Sequence, residues 1–171
     1  MFLESADFPF AKQLEDNWLT IKRELLALPS TAWKYWPERM LYDAGWTVFG
    51  FYFFGRRIPD NCAACPETVK VLETVPGMVT AGFSNMAPGT HIKPHRGYTN
   101  AVLRCHLGLI VPPDCALRVG PETRNWSDGK CLVFDDTCEH EAWNRSDQPR
   151  VILLLDFRKN LASSPLEQRM A

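Results

Sequence analysis

The chain has 171 residues, 46% of them hydrophobic and 23% charged, with 19 basic against 20 acidic side chains and a net charge of -1. That length suits one ordinary domain with a real core, read here as residues 1–171. Nothing in the charge balance suggests a nucleic-acid footprint or a polybasic membrane patch.

The opening MFLESADFPF carries Glu4 and Asp7 and has no basic n-region, so it does not read as a signal peptide. The longest apolar run, Trp46 to Phe54, is about half of a membrane span. A cytoplasmic protein without a membrane span is the expectation. Six cysteines in such a chain read as reduced thiols.

Leu14, Trp18, Ile21, Leu25 and Leu28 recur in steps of four and three. They predict one amphipathic helix that includes Asp16 to Leu28, stops at Pro29 and leaves Lys22, Arg23 and Glu24 on its polar face. Trp46 to Phe54 is rich in aromatic and β-branched residues and reads as a strand. Cys62 and Cys65 form a lone CxxC, read as a loop closed tightly before a helix that begins at Pro66 and buries Val69, Leu72 and Val75. Pro76-Gly77 ends that helix.

From Met78 the pattern changes to short strands separated by turns. The predicted strands are 78–86, 101–111, 117–119, 130–134 and 151–157. Such spacing indicates a β-sandwich or barrel with the N-terminal helices on one face.

All four histidines fall in two places: His91, His95 and His106 in one stretch, and His140 in FDDTCEHEAWN. Imidazole is a common ligand of iron, copper and zinc, so a metal site is the first hypothesis. Residues two apart in a strand share a face, which sets Arg104 and His106 together inside AVLRCHLGLIV. Arg150 enters the last strand, RVILLLDF, in the same way. Buried arginines need anionic partners. Either a small dicarboxylate or an internal Asp or Glu would serve.

PGTHIKPHRGYTN, LRCHLGLIVP, RVG, W-x-x-GK-x-LVFDD, EHEAWN and R-VILLLD together resemble the aspartyl/asparaginyl β-hydroxylase family, in matching order from Trp46 to Phe157. The resemblance implies an Fe(II)- and 2-oxoglutarate-dependent dioxygenase on a mainly β, double-stranded β-helix (a jelly-roll or cupin-like barrel). It implies iron ligation by His95 and His140, and co-substrate contacts from Ser84, Arg104, His106 and Arg150. Arg150 would take the distal carboxylate, and His91 receives no ligand role.

Most oxygenases of the wider superfamily place a carboxylate two residues after the first histidine. Here Gly97 stands there, as the family resemblance also implies. Glu139 and Glu141 point away from His140 if the segment is extended, while Asp135 and Asp136 are placed to orient ligands or bind substrate. Arg96, Tyr98, Arg118 and Arg124 are candidates for the mouth of the site.

The resemblance further implies molecular oxygen and an amino acid, peptide or protein containing Asp or Asn as partners, with hydroxylation at the β-carbon. Two other readings stay open: a non-catalytic jelly-roll protein that binds a small carboxylate, and a metal-dependent cupin-like enzyme of another kind.

Overall fold

Strand β12 (Arg150–Arg158) lies at the centre of the larger of two antiparallel sheets, flanked by β5 (Met78–Met86) and β7 (Val102–Ile110). The structure, a computed structural model, describes residues 1–162. Val151, Leu153, Leu155 and Phe157 point to one side of β12 and join the core beneath the helices. Arg150, Ile152, Leu154 and Asp156 point to the other, into the space between the sheets. Alternation along a strand is the whole cause of this division.

The same parity runs through the neighbours. Leu103, Cys105, Leu107 and Leu109 of β7 and Ala81 and Phe83 of β5 pack against the helices. Ser84, Arg104 and His106 face inward. Beyond β5 lies β3 (Trp46–Phe53), followed by β2 (Lys34–Tyr35), with the short β4 (Arg56–Arg57) also on β3. Beyond β7 come β10 (Cys131–Phe134) and β1 (Phe2–Leu3).

The smaller sheet runs in the order β6 (His91–His95), β11 (His140–Asn144), β8 (Cys115–Val119) and β9 (Glu122–Asn125). A second core, including Trp46, Met86, Ile92, Leu117, Trp126 and Phe134, fills the space between the sheets. This is the mainly β jelly-roll architecture expected of a double-stranded β-helix, with helices on one face.

The expected N-terminal helix is in fact two, α1 (Pro9–Asp16) and α2 (Trp18–Leu26). Asn17 interrupts it. Its Nδ2 donates to the Gln13 carbonyl at 2.8 Å, while its backbone N–H turns to Leu14. Side-chain amides compete with the helix ladder in this way. The stripe survives the break, since Leu14, Ile21 and Leu25 are all buried.

Glu24 is not on a merely solvated face. It accepts the backbone N–H groups of Glu67 and Thr68 at 2.8 and 2.7 Å, and the Thr68 hydroxyl at 2.6 Å. It thereby caps the first turn of α4 (Pro66–Leu72) from another helix. The CxxC is likewise not a simple loop. Cys62 lies within α3 (Pro59–Ala64), and Cys65 caps α4. Both cysteines are buried and free of disulfides, the Cys62 thiol donating to the Phe51 carbonyl at 3.4 Å, and burial pushes Cys65 up to about 12, far from thiolate chemistry.

The strand at Trp46 ends at Phe53, one residue early, because Phe54 adopts a left-handed turn conformation. The strand expected at 117–119 begins earlier, at Cys115. Among the described residues no helix is long and apolar enough to cross a membrane.

Candidate active site

Neither β6 nor β11 has an apolar alternation that marks it as a strand, yet each carries one candidate iron ligand at its end. The two strands pair antiparallel with His95 directly opposite His140. Their ring centroids lie 4.2 Å apart at an interplanar angle of 54°. Their separation of 45 positions in sequence vanishes in the ladder.

Each ring is oriented by its own chain. His95 Nδ1 lies 2.7 Å from the Lys93 carbonyl, and His140 Nδ1 lies 3.0 Å from the Cys138 carbonyl. A carbonyl only accepts, so Nδ1 carries a proton in both rings and Nε2 is the nitrogen left to face a metal. Burial, followed by the charge of His95, lowers His140 to about 3, which keeps that ring neutral. Two imidazoles presenting Nε2 side by side fit a divalent transition metal. Among the described residues, no set of three or more His, Cys, Asp or Glu groups gathers to hold a metal.

Gly97 explains part of that restraint. A Cβ at this position would fall on the carboxylate of Asp136, whose backbone carbonyl also accepts the Gly97 N–H at 2.7 Å. The glycine therefore leaves room for a carboxylate arriving from another segment. Asp136 is buried, its Oδ1 has no hydrogen-bond partner, and desolvation raises its pKa despite Arg104 Nη2 at 3.6 Å.

Deeper in the barrel the two arginines differ. Arg104 donates through Nε and Nη2 to Asp156 at 2.7 and 2.9 Å, so an internal acid takes its fork. Arg150, 2% exposed, has no such acid among the described residues. Its Nε and Nη1 are buried without partners, and its guanidinium carbon sits 4.6 Å from the centre of the Trp126 ring. Burial pulls Arg150 down to about 9.

His106 receives a hydrogen bond from Trp126 Nε1 on its Nδ1, at 3.2 Å. Burial, then the charges of Arg104 and Arg150, holds its pKa well below the usual range. The neutral ring must then carry its proton on Nε2, which is buried without an acceptor. Ser84 lines the same cleft, its hydroxyl accepting from Trp46 Nε1 at 2.9 Å. The cleft runs from His95 and His140 at one end to Arg150 at the other. Its orphaned polar atoms at the deep end are donors.

The profile of the aspartyl/asparaginyl β-hydroxylase family matches residues 15–160. The chain belongs to that family. It is 41% identical over 175 aligned positions to the ornithine lipid ester-linked acyl 2-hydroxylase of Rhizobium tropici, covering 94% of this chain and 61% of that protein. It is 38% identical over 156 positions to the aspartyl/asparaginyl β-hydroxylase of Homo sapiens, covering 85% of this chain and 20% of that protein. The chain thus spans three-fifths and one-fifth of the lengths of these two relatives.

Two solved structures share the fold. An oxidoreductase of the 2OG-Fe(II) oxygenase family from Burkholderia pseudomallei matches with a TM-score of 0.63 at 10% identity, covering 86% of this chain and 81% of that one. A Pseudomonas putida prolyl-4-hydroxylase matches at 0.56 and 15% identity, covering 89% and 88%.

Above the histidines a second, wider cavity of about 380 Å³ opens outward. Trp36, Leu41, Phe53, Phe54 and Tyr98 form its apolar wall, and its polar lining includes Glu38, Arg96, Arg104, Asp136 and Asp156. Arg96 and Tyr98 are therefore at the mouth, as expected. Arg118 and Arg124 are not. Arg118 is held by Glu141 and Glu139 on the smaller sheet, at 2.5 and 3.1 Å. Arg124 pairs with Glu122 at 2.6 Å and covers Phe2.

Glu141 points away from His140 and meets His91 Nε2 at 2.7 Å, so His91 is engaged outside the site. Asp156 and Trp126 were not among the expected site residues. An acid within the apolar run of β12 was the available signal for the first. The tryptophan of W-x-x-GK was the signal for the second.

Proposed function

We propose that this protein is an Fe(II)- and 2-oxoglutarate-dependent hydroxylase. The observation that carries the reading is the polarity of the inner cleft. Its deep end holds three orphaned donors, Arg150 Nε and Nη1 and His106 Nε2, and its other end holds the paired histidines. Buried donors without acceptors are costly unless a ligand supplies the acceptors. A dicarboxylate with one end on Arg150 and the other near His95 and His140 does so.

In this reading His95 and His140 hold Fe(II) through Nε2. Arg150 holds the distal carboxylate of 2-oxoglutarate, Trp126 supports the guanidinium plane, and His106 donates Nε2–H to the same co-substrate. Arg104 lines the cleft but acts chiefly through Asp156, keeping that wall charged and fixed. Ser84 completes the polar lining. Bound iron and 2-oxoglutarate supply oxygen activation, in which one atom of O2 enters a C–H bond while 2-oxoglutarate becomes succinate and carbon dioxide. The apolar residues lining the cleft, Ile92, Leu117, Phe134, Ile152 and Leu154 among them, would limit water at that step.

The proposed substrate bond is a methylene next to a carbonyl carbon. The β-carbon of an Asp or Asn residue has that position, and so does carbon 2 of an ester-linked acyl chain, the groups that the names of the two relatives carry. Asp136, at the boundary of the cleft and the outer cavity, is placed to orient what enters.

The test is succinate formation from 2-oxoglutarate with Fe(II), together with mass spectrometry of Asp- and Asn-containing peptides and acyl esters. A gain of one oxygen that depends on both additions supports the reading. Co-substrate binding without succinate across the panel would instead leave a carboxylate-binding jelly roll.

A further inference from the structure

The turn between β3 and β4 consists of Phe54 and Gly55, both left-handed with φ of 49° and 76°. Two-residue turns of this kind favour Asn, Asp and Gly, and a phenylalanine at the first position is locally unfavourable. Nothing in the core recovers that cost, because the Phe54 ring is 54% exposed and Phe53 is 51% exposed. The rings sit edge to face, 4.5 Å apart, and Phe54 meets Tyr98 at 5.2 Å. Together they form an apolar crest on the rim of the cavity above His95 and His140.

Cations line the groove and cavity that adjoin the crest. Arg56 and Lys34 line a groove that shares Trp36, Pro37, Phe53 and Thr80 with that cavity, and Arg96 lines the cavity itself. All three are exposed. Among the described residues none of the three is within an ion pair. Of the acids lining these two cavities, Asp136 and Asp156 are buried against Arg104, Glu38 accepts from Trp36 Nε1 at 3.1 Å, and Asp60 lies along the groove.

We infer that this rim docks on an anionic lipid surface, with Phe53, Phe54 and Tyr98 entering the apolar layer and Arg56, Lys34 and Arg96 meeting lipid phosphates. Exposed apolar rings beside unpaired cations match the two layers of a bilayer interface. An acidic peptide would satisfy the cations but leave two phenylalanine rings on a projecting turn in water. The position of the crest also decides what docking achieves. The cavity would open against the lipid, so a carbonyl-bearing acyl chain reaches the site without crossing water. That last step rests on the hydroxylase reading; the docking itself does not.

Flotation of the protein with vesicles tests it, using phosphatidylcholine alone and phosphatidylcholine mixed equally with phosphatidylglycerol. The protein should float with the mixed vesicles and far less with phosphatidylcholine. Phe54→Asn suits the left-handed turn, so its melting temperature should hold or rise while vesicle affinity falls about tenfold. Arg56→Gln should weaken binding about fivefold.

No flotation, flotation unchanged in Phe54→Asn, or preference for an acidic peptide over the vesicles would overturn the inference. Flotation needs neither iron nor turnover, and succinate formation with a water-dispersed substrate needs no vesicle. Failure of one reading is therefore visible apart from failure of the other.

Discussion

Arg104 and Asp156 stand opposite each other across the ladder of β7 and β12 and are joined by two parallel hydrogen bonds of 2.7 and 2.9 Å. This contact consumes one of the two inward arginines internally and leaves Arg150 as the cation whose charge awaits a partner. The division of labour cannot be read from strand parity, which treats the two residues alike.

Removing Arg150 should therefore uncouple stability from co-substrate binding. Arg150→Met deletes a buried charge without an acid partner, so the protein alone should gain about 1 kcal/mol or more. The same change should raise the apparent KM for 2-oxoglutarate at least about 30-fold. Thermal melting with and without 2-oxoglutarate checks both. A variant with lower intrinsic stability and an intact ligand-induced shift would contradict the assignment.

His95→Ala and His140→Ala should each abolish Fe(II)-dependent succinate formation if the pair holds the iron as proposed, because among the described residues no third side chain gathers to compensate. The stability of His95→Ala without metal should stay within about 1 kcal/mol of the parent, since that ring is only partly buried. Binding of Mn(II) or Co(II), followed by titration calorimetry, separates lost ligation from lost folding.

Gly97→Asp should not complete a three-residue metal site. The new Cβ meets the Asp136 carboxylate, and overpacking of this kind costs about 1–3 kcal/mol. Combining it with Asp136→Gly should recover most of the loss. Urea unfolding of the two single variants and the pair measures the coupling directly. Additive effects would mean the two positions do not share the space.

The pH dependence of folding should carry the mark of His106. In the unfolded chain this histidine titrates near 6.5, whereas burial holds its folded pKa well below that. As pH falls through 6.5, the unfolded state binds the proton first, so stability drops by up to about 1.4 kcal/mol per pH unit. His106→Leu should lower this slope without abolishing it, because His140, held at about 3, titrates in the same sense; urea unfolding between neutral and mildly acidic pH follows it. A profile with the same slope in the variant would place the titration elsewhere.

Much of the larger sheet was legible because its strands bury two different faces. Leu103, Cys105 and Leu107 alternate with Arg104 and His106, and the chemistry of each face follows from the count of two. The strands β6 and β11 were not legible. HIKPH and HEAWN contain proline, charge and histidine, and neither has a strand period of its own.

Their geometry comes from pairing, β11 on β8 on one side and β6 on the other. The histidines could thus be named from family resemblance, but their direct opposition is a tertiary fact. Asn17 and Glu24 tell a similar story for the helices. A side-chain amide breaks a continuous apolar stripe, and a nominally solvent-facing acid becomes a cap once a second helix arrives.

The opposition of His95 and His140 bears on more than chemistry. Strand β6 is the border of the smaller sheet, and its last residue faces the first residue of β11. An ion held by both rings acts as a rivet between the outermost strand and its neighbour. Chelation should loosen that border first, so backbone amides of 91–95 should exchange with solvent faster in the stripped protein while those of β12 keep their protection.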